Sequence, residues 1–263
     1  MTFTGVLDRT GRIAHSILRR TFYLGAISTE CFAYIVRPAS WVQPVRSRLV
    51  KQILFGGVEA IPFTVYAGIL MGIVLTLNSY EWLKFTGRIE FLGPALSILV
   101  IREAAPFFAC FIIISASASA ITTELANMRV SGEIDLIESH GINLVQFLIM
   151  PRAVGLSIAG TGLAIVFVAS ALAASAVGLL LIGPVPLSPL FDSIFRSLSP
   201  ADLCNLLGRS FVATFLIGVI CCFEGLSAAG ATTAVPQAVT RAMLRSVETT
   251  LVVSVSFALL TYL

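Results

Sequence analysis

AVGLSIAGTGLAIVFVASALAASAVGLLLI, residues 153–182, carries no charged side chain over 30 positions. At about 1.5 Å per residue a helix of that length reaches roughly 45 Å, while about 20 residues suffice to cross the hydrocarbon core of a bilayer. The segment is therefore a transmembrane helix that tilts or extends past the membrane. The whole chain agrees with this reading: of 263 residues, 57% are hydrophobic and only 12% are charged, about half the usual charged share of roughly 25%. Mean hydropathy is +0.95. A water-soluble globule is excluded for want of surface charge, and disorder is excluded because it needs the opposite composition.

Outward from this segment, four more apolar runs read as spans. The first covers about 53–77 and contains Gly68-Ile-Leu-Met-Gly72, a small-xxx-small pattern that lets a second helix backbone come close. The second, about 91–123, is interrupted by the adjacent ions Arg102 and Glu103 and by Pro94 and Pro106, and ends in the small-residue run Ser115-Ala-Ser-Ala-Ser-Ala120. The fourth covers about 203–229, with Arg209 near its start and Glu224 near its end, and the fifth about 246–263. The expected fold is an all-α polytopic membrane protein with five transmembrane helices.

Charge placement orients it. Eight of the 17 Lys and Arg residues precede residue 52, a basic leader that predicts a cytoplasmic N-terminus and, with five spans, an external C-terminus. Residues 1–51 alternate basic and apolar positions and read as an amphipathic segment at the membrane interface, with 52–263 as the membrane domain. Loop 78–90 has no positive excess and the Pro-rich loop 183–202 follows the third span, so both are expected outside. Residues 124–152 hold Glu124, Arg129, Glu133, Asp135, Glu138, His140 and Arg152, interleaved with Ile134, Ile137, Ile142 and Val145. They predict a short amphipathic cytoplasmic helix ending near Gly141. Arg241 and Arg245 mark another cytoplasmic connection.

The usual catalytic signatures are missing. There is no GxxxxGK[ST] loop, so the chain does not hydrolyse ATP by itself, and no HExxH. The two histidines, His15 and His140, fall in the cytoplasmic pieces. Gly225-Leu-Ser227-Ala-Ala-Gly230 misses GxSxG by one position and has no membrane histidine to activate the serine. The five cysteines show no metal spacing. No metal, cofactor or enzymatic role is expected, and a net charge of +3 gives no reason to expect nucleic acid.

What remains is a membrane protein with few intramembrane ions, which face a cavity, a partner or one another. Arg102 and Glu103 point about 100° apart on one helix and cannot simply neutralise each other. Their candidate partners are Glu224, Glu248 and Arg209, or the same residues of a second copy, in a structural ion pair or along a substrate cavity. The helix around Glu133, Ile134, Asp135, Ile137 and Glu138 would either lie on the membrane or insert into a groove of a soluble partner. A transporter subunit, a membrane scaffold and an ion-coupled carrier all fit, although the chains of carboxylates expected of a proton-driven pump are missing.

Several motifs carry a resemblance. Arg102-Glu-Ala-Ala-Pro106, Thr123-Glu-Leu-Ala-Asn-Met-Arg129, Val130-Ser-Gly-Glu-Ile-Asp-Leu-Ile-Glu138 and Met150-Pro-Arg152, with Thr240-Arg241 further on, resemble the MlaE-like (YrbE-type) permeases of MCE lipid ABC transporters. The resemblance covers about residues 50–263, and Arg102 to Arg152 match in one register. Where the family commonly has an acid in the last span, this chain has Ser254. The resemblance implies a homodimer of this chain, two copies of a cytoplasmic ATPase, an MCE-domain protein outside the cell inner membrane, and lipid, usually phospholipid, as cargo. It also implies that Glu133, Asp135 and Glu138 belong to a coupling helix seated in the ATPase, and that Arg102 and Glu103 lie near the central cavity of the dimer.

Overall fold

Among the described residues, five helices are long and apolar enough to cross a membrane: Gln43–Phe85, Ile89–Val130, Val145–Leu179, Pro200–Leu226 and Ala234–Thr261. The computed structural model describes residues 25–35, 37, 41, 43–182, 192–194, 196–228 and 233–262, and contains no strand among them. The protein is an all-α polytopic membrane protein. Successive spans run antiparallel, so residues 131–144 lie at one end of the bundle (the near end) and residues 86–88 at the other (the far end). The interfacial reading of residues 1–24 and most of the loop at 183–191 lie outside the described residues.

Helix ends differ from expectation where packing overrides hydropathy. The first span starts ten residues earlier than its apolar run, at Gln43, so the expected division at residue 51 falls inside the helix Gln43–Gly56. That helix stops at Gly56, passes through a tight turn at Val58–Ala60, and resumes as Ile61–Phe85 with Pro62 in its first turn. Pro62 has no N–H to continue the ladder, which places the bend. The second span carries on to Val130, leaving only Glu133–Ser139 as the separate short helix. Gly132 (φ 79°) and Gly141 (φ 73°) flank it in the left-handed region, where glycine carries no steric penalty. The fifth helix begins at Ala234, twelve residues before its expected start, and takes in Arg241 and Arg245.

The third span is the hub. A Cβ added at Gly72 would sit 2.8 Å from Ala171 Cα, and one at Gly218 would sit 2.7 Å from Ala153 Cα. Backbones of the first and fourth spans thus touch the third directly, the approach that small residues permit in lipid. Phe108 of the second span stacks on Phe167 of the third, with centroids 5.2 Å apart. Leu125, Leu148, Met150, Leu156 and Leu163 complete a closed interior.

Buried hydroxyls of Thr64, Thr76, Thr122 and Thr214 donate to carbonyls four residues earlier, so each is satisfied within its own helix. The apolar stretches of the second and fourth spans are each 61% buried, against 17% for the fifth. Val252, Val255 and Leu260 of the fifth span face outward, as a lipid solvent favours.

Candidate functional site

Arg102 and Glu103 each find a partner on the fourth span. Arg102 Nε lies 2.5 Å from Asp202 Oδ1, and Arg209 Nη1 lies 3.0 Å from Glu103 Oε2. Asp202 and Arg209 are seven residues apart and share one face of that helix. Arg209 Nε also donates to Ser254 Oγ of the fifth span at 3.3 Å. Three spans therefore meet at one ionic cluster, which reaches roughly 14 Å into the fourth span from its far-end start at Pro200.

Local sequence explains the placement. Arg102 and Glu103 lie in a π-helical stretch, Ser97–Ala104, inside the second span. Such widened turns recur at functional sites and re-aim side chains. Pro106, four residues after Arg102, has no N–H to give the Arg102 carbonyl. Arg209 Nη1 donates to that carbonyl at 2.8 Å. On the fourth span, Ser199 caps the helix, and Asp202 Oδ2 accepts from the Ser199 N–H at 2.9 Å to close a capping box. Asp202 thus holds the helix start with one oxygen and Arg102 with the other.

Exposure divides the cluster in two. The Asp202 and Arg209 side chains are each 4% exposed, Arg102 is 23% exposed and Glu103 is 45% exposed. Two buried ions on the fourth span anchor two partly open ions on the second. The arrangement balances charge inside the protein while offering one carboxylate and one guanidinium to whatever lies beside the second span.

Two other candidate partners go elsewhere. Glu224 is buried between Arg241, 3.5 Å away, and Arg245, with which it makes an ion pair. The early start of the fifth helix puts these two arginines, one turn apart, against the end of the fourth span. Glu248 is exposed on the fifth span and does not join the Arg102–Glu103 cluster. Asp202 escaped the sequence reading, although its signal was present: Ser199-Pro-Ala-Asp202 is a helix-start pattern, and Arg209 follows seven residues later.

At the near end the helix Glu133–Ser139 is amphipathic in a defined sense. Ile134 is 1% exposed and packs into the core with the partly buried Ile137, while Leu136 is 61% exposed. Asp135 receives Arg129 Nη1 at 2.6 Å, and Glu133 Oε1 accepts from Ser131 at 3.2 Å. Tyr34 links the earlier helical residues 25–35 to this end, where Asn143 Nδ2 donates to its hydroxyl at 3.1 Å. Ser227, in the near-miss elbow, only caps its helix by donating to the Phe223 carbonyl. Among the described residues no cluster of His, Cys, Asp or Glu has the makings of a metal site.

The family model described as Permease MlaE matches residues 49–260. The chain belongs to the MlaE permease family. It is similar to a probable ABC transporter permease protein of Rickettsia bellii, 26% identical over 243 residues, covering 90% of this chain and 89% of that one. A probable ABC transporter permease protein of Rickettsia felis is 25% identical over 245 residues, covering 89% and 92%. The protein TRIGALACTOSYLDIACYLGLYCEROL 1, chloroplastic, of Arabidopsis thaliana is 23% identical over 197 residues, covering 75% of this chain and 56% of that one. This MlaE-family chain is a multi-pass ABC transporter permease subunit, a transport subunit that works with a separate ATPase subunit.

Proposed function

We propose that this permease moves phospholipid between the cell inner membrane and an external MCE-domain protein, as a homodimer driven by two ATPase subunits docked on Glu133–Glu138. The observation that carries the ATPase part is the helix Glu133–Ser139. It is pinned to the core by Ile134, yet turns Leu136 and its acids outward. A helix held rigidly on one side transmits a push on the other to the spans it joins. The near end is cytoplasmic on this reading, the side that the basic leader predicts for the N-terminus.

Lipid as cargo is supported by the site's chemistry. A lipid needs apolar walls with a few polar groups for its headgroup. Arg102 and Glu103 are the partly open members of an ionic cluster whose other two ions, Asp202 and Arg209, are buried, and long apolar spans surround it. The name of the Arabidopsis relative contains a glycerolipid. The outward apolar faces of the first and fifth spans leave room for a second copy.

The test is to co-purify the chain with its companions, identify them, and reconstitute the assembly in liposomes containing a fluorescent phospholipid. ATP-dependent transfer of the label to an added MCE-domain protein is the expected result. A scaffold would assemble without ATP-dependent transfer, and an ion-coupled carrier would respond to an imposed pH gradient with no ATP.

A further inference from the structure

A cavity of about 470 Å³ opens at the near end, lined by Arg48, Lys51, Gln52 and Phe55 of the first span, Ala120, Ile121 and Glu124 of the second, and Arg152 of the third. It is separate from the Arg102–Glu103 cluster. Glu103 and Glu124 belong to the same span and stand roughly 30 Å apart along it.

Its charge is lopsided. Three cations face a single acid, and that acid is only partly committed: Glu124 Oε1 receives Arg152 Nη2 at 2.7 Å while its side chain stays 60% exposed. Arg152 is 5% exposed and Gln52 is 9% exposed, yet Arg152 Nη1 and Gln52 Nε2 are both buried without a hydrogen-bond partner. Two donors of this kind on facing elements are costly unless an acceptor arrives. The stem of Gln52 packs on the third span, where a Cβ added at Gly155 would come within 2.8 Å of its Cβ and 2.9 Å of its Cγ. Arg48 is held as well, its guanidinium 4.2 Å from the centre of the Phe147 ring.

We infer that this cavity is a phosphate-binding site. A phosphate brings several acceptor oxygens and negative charge, which is what two orphan donors and three cations lack. The apolar wall of Phe55, Ala120 and Ile121 continues into the outward-facing Leu54, Val58 and Ile61 of the first span. That continuity favours a phosphate carried on an acyl-chain lipid over free phosphate, and the excess positive charge favours an anionic headgroup. The site adjoins Phe147, in the π-helical opening of the third span that follows the short helix Glu133–Ser139. An occupant there would brace the joint between that helix and the bundle. The inference goes beyond the transport reading and does not depend on it.

The test uses the full chain, delipidated in detergent, with native mass spectrometry against three probes: dioleoylphosphatidylglycerol, dioleoylphosphatidylcholine and inorganic phosphate. The wild type is expected to hold phosphatidylglycerol about tenfold more tightly than the Arg48→Gln/Lys51→Gln double variant does, with the affinity falling as salt rises. Arg48 is only partly buried and Lys51 is exposed, so this variant keeps the fold. Arg152→Gln is expected to lose more, and a Lys84→Gln control at the far end is expected to bind like the wild type. Failure of millimolar inorganic phosphate to displace the lipid assigns the site to a headgroup, whereas displacement assigns it to free phosphate. Equal phosphatidylglycerol binding by the wild type and the double variant, or binding of none of the probes, overturns the inference.

Discussion

Arg209 grips Glu103 through both terminal nitrogens, with Nη1 and Nη2 donating to the same oxygen, Oε2, at 3.0 and 3.1 Å. The two partners are not equivalent, because Arg209 is 4% exposed and Glu103 is 45% exposed. Glu103→Gln leaves a buried cation without its counter-ion, at a cost of about 3 kcal/mol. Arg209→Met removes the partner of Glu103 and also the donors to the Arg102 carbonyl and Ser254 Oγ, at a cost of about 3 kcal/mol or more. Thermal unfolding in detergent is expected to rank Arg209→Met below Glu103→Gln, because only the arginine change also leaves the Arg102 carbonyl without its donor. Equal losses would show that the bonds of Arg209 to the Arg102 carbonyl and Ser254 carry no energetic weight.

Close backbone contact between the first and third spans makes a second prediction. Gly72→Ala drives a methyl into the main chain of Ala171, where no side chain can move aside. Gly162, on the same third span, has nothing within 4 Å of its added Cβ. Gly162→Ala is expected to be neutral or to stabilise by up to about 1 kcal/mol through helix propensity. Gly72→Ala is expected to lower the unfolding temperature and the yield of monodisperse protein on size exclusion.

The short helix offers two separable substitutions. Leu136→Asp changes an exposed face and is expected to leave folding intact while abolishing co-purification of the ATPase subunit. Ile134→Asp places a carboxylate at a 1% exposed core position and is expected to prevent folding. Gly132→Val tests the left-handed turn before the short helix: a β-branched residue at φ 79° costs about 1–2 kcal/mol, so ATPase stimulation is expected to fall while binding persists. ATPase retained by Leu136→Asp at wild-type levels would move the docking site elsewhere.

Cysteine labelling tests the topology. Cys31 is buried, and burial pushes its thiol up from 9.0 to about 12. At pH 7.5 it is held as the thiol and is expected to resist maleimide; the thiolate that reacts forms only as pH approaches 12. Cys204 is exposed and lies close to the far-end start of the fourth span. A membrane-impermeant maleimide added to intact cells is expected to label Cys204, placing the far end outside. Labelling only after the cells are opened would invert the orientation.

The sequence made the spans readable because charge is costly in hydrocarbon, so their number follows from long uncharged runs. Their ends were less readable. Arg241 and Arg245 looked like a polar connection and are instead the opening turns of the fifth helix, a placement made tolerable by Glu224 across the interface. Residues 124–130 looked like part of the polar stretch, yet Leu125 and Ala126 are fully buried, and this carries the second helix on to Val130.

Among the ions, Arg209 stood among the candidate partners of Glu103, while Asp202 was overlooked and Glu224 and Glu248 proved to lie elsewhere. Local pattern locates each charged residue along its helix but leaves open how the helix is rotated.

The family, the five-helix membrane architecture and the short amphipathic helix were written in the chain itself, because each depends on neighbours within a few turns. The cluster joining Glu103 to Arg209, 106 positions away, was decided only by folding. Spans that are apolar all round carry little preference for one rotation over another, so the facing partners are set by where glycines let backbones touch and where prolines and widened turns re-aim a side chain.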